Sequence, residues 1–106
     1  MNLKIMAAEL GLEEDEFSEL LTLFIEISES DLARLQDAIA AGNAEEASDA
    51  AHSLKGASAN LGFMDIYAVA KGLEQKAREH SLEGLADEIL IIKDQLSLIA
   101  KSMDDM

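Results

Sequence analysis

The residues best suited to chemistry in this chain lie together near its middle, between Ala51 and Gly62. This stretch holds His52, one of two histidines in the sequence, with Lys55 one helical turn later and Gly56 directly after the lysine. Imidazole is a nucleophile in its neutral form, which is well populated near neutral pH. A lysine beside the ring could meet an anion there. The combination suggests a histidine that reacts with an anionic group at the protein surface.

His52 is predicted to point away from the core. An α-helix turns about 100° per residue, so Leu54 and Leu61 lie about 200° and 180° around the helix from His52. The whole predicted buried face consists of small and aliphatic residues: Ala47, Ala50, Leu54, Ala57 and Leu61. The side that His52 occupies carries Ser48, Lys55, Gly56 and Ala59. We therefore expect an exposed His52 beside Lys55. An ordinary solvated histidine is the alternative interpretation.

Gly56 is unusual because a glycine inside a helix costs about 1 kcal/mol relative to alanine. Its absent side chain, together with the small Ala59, would let another protein approach His52. A phosphoryl group is the natural anion for such a site. The sequence has no glycine-rich phosphate loop and no strand to precede one, so the phosphoryl donor is predicted to be another protein or domain.

The elements that must position these residues are helices, because apolar residues recur at helical spacing throughout. A short helix is predicted from Leu3 to Leu10, with a stop at Gly11. Longer helices are predicted over about Glu13 to Ala41, Ala44 to Leu61, Asp65 to Glu79 and Glu83 to Met103. Four long amphipathic helices with short connections favour an all-α, antiparallel up-down four-helix bundle with a short extra N-terminal helix. Residues 1–106 are expected to form a single domain.

Each long helix carries an apolar stripe that is predicted to face the core. In the second helix this stripe is Phe17, Leu20, Leu21, Phe24, Ile27, Leu32, Leu35 and Ile39. In the fourth helix it is Ile66, Val69, Ala70, Leu73 and Ala77, and in the last it is Leu85, Ile89, Ile92, Leu96, Ile99 and Met103.

The charge balance narrows the choice of partners. With 8 basic and 22 acidic residues, a formal net charge of −14, the surface should repel nucleic acids and anionic membranes and attract a partner with a basic rim. The chain has no cysteine, no apolar run of about 18 residues and no visible signal peptide. We therefore expect a soluble, cytoplasmic protein.

His52 and His80 lack the spacing of a zinc site, so no metal is expected. His80 suits a helix C-terminus.

The stretch His52-Ser53-Leu54-Lys55-Gly56-Ala57-Ser58-Ala59-Asn60-Leu61-Gly62-Phe63 resembles the core pattern of the histidine-containing phosphotransfer (Hpt) family of two-component phosphorelays. The resemblance implies that His52 accepts a phosphoryl group on Nε2 from a receiver-domain aspartate or a kinase domain and passes it on. Lys55 would offset the phosphoryl charge, and Gly56 would keep the ring accessible. Ser58 and Gly62 match small positions of the family and are assigned to packing.

The family often has a glutamine or glutamate on the next helix, which accepts the imidazole Nδ1 proton and leaves Nε2 free. Counting along this chain places that role on Glu74, as in the phosphotransfer domains of chemotaxis kinases. The alternative is a solvated glutamate paired with Lys71 or Arg78. Lys71 itself is a weaker candidate for the site.

The resemblance also implies a phosphocarrier without a nucleotide site or kinase activity of its own. Its partners would be a histidine kinase and response-regulator receiver domains. It would be a monomer that binds no cofactor, with the required Mg²⁺ on the receiver. Exposed apolar residues on the first two helices could form the receiver-docking patch, although the sequence does not separate them from the core. Two alternatives remain open: an interaction-only bundle with the Hpt fold, and a helical adaptor dimer without phosphate chemistry.

Overall fold

The computed structural model describes residues 2–106, which form five α-helices: α1 (Leu3–Glu9), α2 (Glu14–Ala41), α3 (Ala44–Leu61), α4 (Met64–Arg78) and α5 (Ala86–Met103). Four of the predicted helices agree with these bounds to within about one residue. The last helix begins at Ala86 instead of Glu83, because Gly84 has a left-handed backbone (φ 72°) that a helix cannot contain. Met1, the first residue of the predicted domain, lies outside the described residues.

The four long helices pack as a closed bundle. Helix α3 lies between α2 and α4, and α5 contacts both α4 and α2, while α1 rests against α2. The short loops make sequence neighbours antiparallel. The extents of 42 × 20 × 17 Å match the length of a 28-residue helix. The predicted all-α bundle with a short N-terminal helix is confirmed. Within residues 2–106, none of the helices has both the length and the apolar character needed to cross a membrane.

Local signals at both ends of α3 set its length. The Asn43 side chain accepts a hydrogen bond from the Glu46 backbone N–H at 3.1 Å and so caps the first turn. At the other end Gly62 has a φ of 80°, a left-handed conformation that glycine adopts without steric cost. The backbone N–H of Gly62 donates to Ala59 O, which closes the helix. Helix α3 therefore begins and ends where the sequence predicts.

The core stripe of α2 differs from the prediction at two positions. Leu20 and Ile27 are 40% and 43% exposed, whereas Ser28 and Asp31 are buried. The buried positions of α2 follow the helical repeat: Phe17, Leu21, Phe24, Ser28, Asp31, Leu32, Leu35 and Ala38. Choosing core residues by apolarity was wrong here, because this repeat puts Ser28, and not the neighbouring Ile27, on the inner side. The stripes of α4 and α5 are buried as predicted, with Val69 and Met103 at their half-buried margins.

Candidate functional site

His52 and Glu74 face each other across the α3–α4 interface. The His52 Nδ1 atom lies 2.6 Å from Glu74 Oε2, and the side chains are 64% and 5% exposed, respectively. An ionised carboxylate only accepts hydrogen bonds, so the proton of this bond belongs to Nδ1. In a neutral ring the lone pair then resides on Nε2. The imidazole of His52 is therefore exposed, and its hydrogen bond to the buried Glu74 leaves Nε2 as the nitrogen with the free lone pair.

Two cations complete the cluster around Glu74. Lys55 Nζ lies 2.7 Å from Glu74 Oε1, and Arg78 Nη2 lies 3.3 Å from Glu74 Oε2. Lys55 is mostly covered, whereas Arg78 is largely exposed. Among the described residues, Lys55 and Arg78 are the only lysine or arginine residues that form an ion pair with Glu74. Lys71 is exposed and does not pair with it. Glu74 therefore holds the histidine and an ion pair with Arg78 at once, although the sequence presented these roles as alternatives.

Opposing effects act on the Glu74 carboxyl. Burial alone would raise its pKa, because it disfavours the charged form. The hydrogen bonds from Lys55 and His52 and the charges of Lys55 and Arg78 outweigh burial, and together they hold the pKa of Glu74 below the ordinary glutamate value. At neutral pH the carboxylate is therefore ionised and can accept the Nδ1 proton.

This lowered pKa predicts how the fold responds to acid. A carboxyl with a lower pKa in the folded chain stabilises the fold above its unfolded pKa and loses that contribution as the pH falls through the folded value. Below the ordinary glutamate value of about 4.3, wild type should lose more stability than Glu74→Gln, whose residue 74 does not titrate. Urea denaturation at neutral and acid pH, followed by circular dichroism, measures the difference. Glu79→Gln, at the exposed end of α4, is the control and should behave as wild type. Equal losses in Glu74→Gln and wild type would contradict the prediction.

Small residues keep the surface beside His52 open. Gly56 and Ala59 are both exposed, and a Cβ placed on Gly56 would meet no atom within 4 Å. The fold itself does not require glycine at position 56. Ser58, by contrast, is fully buried, and its Oγ donates to Leu54 O at 2.6 Å. Gly62 is exposed and ends α3 with a left-handed backbone.

A second polar cluster, which sequence reasoning missed, links α2 to α3 next to the histidine. Ser53 Oγ donates to Asp31 Oδ2 at 2.5 Å, and the Asp31 side chain is only 7% exposed. Arg34 reaches Asp31 at 3.4 Å and donates to Glu46 Oε1 at 2.9 and 2.7 Å. Asp31 sits in a polar run of the sequence, Ser28-Glu29-Ser30-Asp31, and was not included in the predicted core stripe of α2. Its spacing of seven residues from Phe24 was the available signal that it faces inward.

The second histidine is not among the hydrogen-bond or ion-pair partners of Glu74. His80 follows α4 with a left-handed backbone (φ 59°) and is exposed. In the described part of the chain, no three or more His, Cys, Asp or Glu side chains are grouped so that they could hold a metal ion.

Known proteins resemble this chain in sequence and in fold. The family model described as Hpt domain matches residues 19–102. The crystal structure of histidine-containing phosphotransfer protein B from Pseudomonas aeruginosa PAO1 is similar, with a TM-score of 0.82 and 29% sequence identity. The alignment covers 96% of this chain and 89% of that one. A search of curated protein sequences gives no match. The matched segment contains both polar clusters.

Proposed function

Because the chain belongs to the Hpt family and serves histidine phosphotransfer in a phosphorelay, we propose that it carries the phosphoryl group on Nε2 of His52. The observation that carries this proposal is the exposed His52 ring with Nδ1 bonded to the buried Glu74 at 2.6 Å. This bond holds the proton on Nδ1 and leaves Nε2 as the nucleophile toward solvent.

The proposed transfer exchanges one bond to phosphorus for another. The Nε2 lone pair attacks the phosphorus of an aspartyl phosphate on the receiver, the N–P bond forms, and the P–O bond to the aspartate breaks. The aspartate carboxylate leaves with the electron pair, while the proton stays on Nδ1 and remains hydrogen-bonded to Glu74. Reversal of these steps passes the group to the next receiver. Catalysis then depends on positioning and on charge stabilisation.

Lys55 and Arg78 supply positive charge beside the ring. Both pair with Glu74, which keeps that carboxylate ionised without leaving a net negative charge next to the incoming phosphoryl group. We expect Lys55, one turn from His52, to offset part of the phosphoryl charge as well. The Mg²⁺ that such transfers require is expected on the receiver, and this chain is expected to bind no cofactor.

The docking patch for the receiver is proposed to include an apolar stripe on α2. Leu20, Leu23 and Ile27 are exposed at helical spacing. Ile27 lies one turn before Asp31, which bonds Ser53 next to the histidine. The stripe therefore runs along the α2 edge nearest the open strip of Gly56 and Ala59. With a net charge of −14, the chain favours receivers whose docking face has a basic rim.

We further propose that the domain acts as a monomeric cytoplasmic carrier that draws its phosphate from a kinase or receiver and has no kinase activity of its own. The test is incubation with a phosphorylated receiver, followed by intact mass measurement in neutral and acidic buffer. One added phosphate, stable at neutral pH and lost in acid, is expected. If none of several receivers donates a phosphate, the proposal fails. Receiver binding without phosphate uptake would instead support the interaction-only bundle.

Substitution of Glu74 should slow this transfer while the fold survives. Glu74→Ala removes the acceptor for Nδ1, and loss of such an orienting partner costs about 10- to 100-fold at metal-bound histidines, which offers a guide here. Glu74→Gln should keep a larger share of the rate, because its amide oxygen still accepts the bond. Single-turnover transfer from a phosphorylated receiver gives the rates, and circular dichroism verifies the fold. An unchanged rate in Glu74→Ala would remove Glu74 from the site.

A further inference from the structure

Two successive residues of α3 are each held by a buried carboxylate from a different helix. His52 is bonded by Glu74 of α4 at 2.6 Å, and Ser53 is bonded by Asp31 of α2 at 2.5 Å. The Glu74 and Asp31 side chains are 5% and 7% exposed. The proposed transfer chemistry uses the first of these bonds and leaves the second without a role.

A contribution to the stability of the fold does not by itself explain why the Asp31 carboxylate is buried. Moving a carboxylate out of water costs several kcal/mol, and partners recover that cost only when the geometry is very good. Arg34 contacts Asp31 at 3.4 Å, the outer edge of hydrogen-bonding distance, so Ser53 is the one close partner in the described residues. One turn earlier on α2, the buried Ser28 hydroxyl has no partner within residues 2–106. The best attested use of such buried polar groups is to fix how helices are set against each other.

Small residues make up most of the buried side of α3, and Leu54 is the one large side chain that is fully buried there. Ala47, Ala50 and Ala51 are all fully buried, and their single methyl groups form shallow ridges. Shallow ridges resist rotation of a helix about its own axis only weakly. A rotation of about 10° moves an atom that lies ~6 Å from the axis by about 1 Å. A misplacement of about 1 Å can slow an oriented reaction by about 100-fold.

We propose that the Asp31–Ser53 hydrogen bond is a positioning device that sets the rotation of α3, so that His52 Nε2 is aimed at the docked phosphoryl donor. The proposal rests on the proposed role of His52 as the phosphoryl carrier. His52 and Ser53 point about 100° apart around the helix, so the bonds to Glu74 and Asp31 constrain α3 from two directions. Arg34 extends the α2–α3 link through its bonds to Glu46 in the first turn of α3.

Two phosphoryl donors separate orientation from intrinsic reactivity. A phosphorylated receiver must dock in one orientation, whereas phosphoramidate is a small donor that approaches freely. With phosphoramidate the P–N bond breaks, the Nε2–P bond forms, and ammonia leaves. Ser53→Ala should slow transfer from the receiver by about tenfold or more through a lower kcat at unchanged KM. It should change the phosphoramidate reaction less than about twofold. Ser53→Thr, which keeps the hydroxyl, should restore the receiver rate.

Ser48→Ala is the matched control, because Ser48 lies on α3 one turn before His52 and has no side-chain hydrogen bond within residues 2–106. It should transfer from both donors at wild-type rates. Asp31→Ala, which leaves no acceptor for the Ser53 hydroxyl, should slow receiver transfer in wild type and add little in the Ser53→Ala background, because either change removes the same bond. This coupling keeps the proposal testable even if one variant folds poorly.

Receiver transfer at the wild-type rate in Ser53→Ala would overturn the proposal, as would an equal loss with both donors or independent effects of the two substitutions. Failure of the proposed function looks different. In that case wild type takes no acid-labile phosphate from the receiver, or His52→Gln still takes it from the receiver.

Discussion

Replacing His52 with glutamine should abolish the acid-labile phosphate that the chain takes from a phosphorylated receiver. Glutamine is similar in size and its amide can still donate a hydrogen bond to Glu74, but an amide nitrogen is not a nucleophile. The His52 side chain is largely exposed, so the substitution leaves the core intact and the variant should unfold within a few degrees of wild type. Intact mass before and after acid treatment measures the phosphate.

The second histidine provides the matched control for this experiment. His80 is exposed and left-handed, and asparagine is among the residues that tolerate this conformation. His80→Asn should therefore fold normally and accept one phosphate at the wild-type rate. Phosphate on the His52→Gln chain, or its loss from His80→Asn, would show that His52 is not the carrier.

The direction in which His52 points could be predicted because a helix has a fixed period. Leu54 and the alanines of α3 locate its buried side, and His52 lies opposite, as the structure shows. The same period applied to α2 would have placed Ser28 and Asp31 inside. The prediction followed the apolar residues and not the helical repeat, and it therefore put Leu20 and Ile27 in the core, where the structure has Ser28 and Asp31. The sequence thus contained the geometry of both helices, and the prediction failed where polar residues occupy core positions.

The partners of Glu74 could be predicted only in part. Counting along the family pattern finds the position, because antiparallel helices with a short loop bring residues on either side of the turn to the same level. The choice between Lys55, Lys71 and Arg78 as its cations depends on helix packing and on flexible side chains. Sequence spacing does not fix these contacts. The Asp31–Ser53 bond was missed for a related reason. Nothing in the sequence indicates that this aspartate and this serine, which lie on different helices, come into contact.

Gly56 should prove costly to the fold and necessary for transfer. A Cβ at this position would meet nothing within 4 Å, so Gly56→Ala should stabilise the chain by about 1 kcal/mol through helix propensity alone. The fold needs no glycine here, and Gly56 lies on the side of α3 that carries His52, so we assign it to the close approach of a partner to His52. Thermal and urea unfolding of Gly56→Ala test the stability half of this prediction.

A larger side chain at the same position should separate folding from docking. Gly56→Gln introduces a good helix former without charge, so the chain should fold at least as well as wild type. The glutamine would stand between His52 and a docked receiver and displace the receiver by more than about 1 Å, which should slow receiver transfer by about 100-fold. Phosphoramidate is small enough to pass beside it and should react at nearly the wild-type rate.

Gly72→Gln is the matched control: Gly72 is also an exposed helical glycine with open space around it, but it points about 200° around α4 from Glu74. Equal receiver rates in Gly56→Gln and Gly72→Gln would mean that the open strip beside His52 is not where the partner docks.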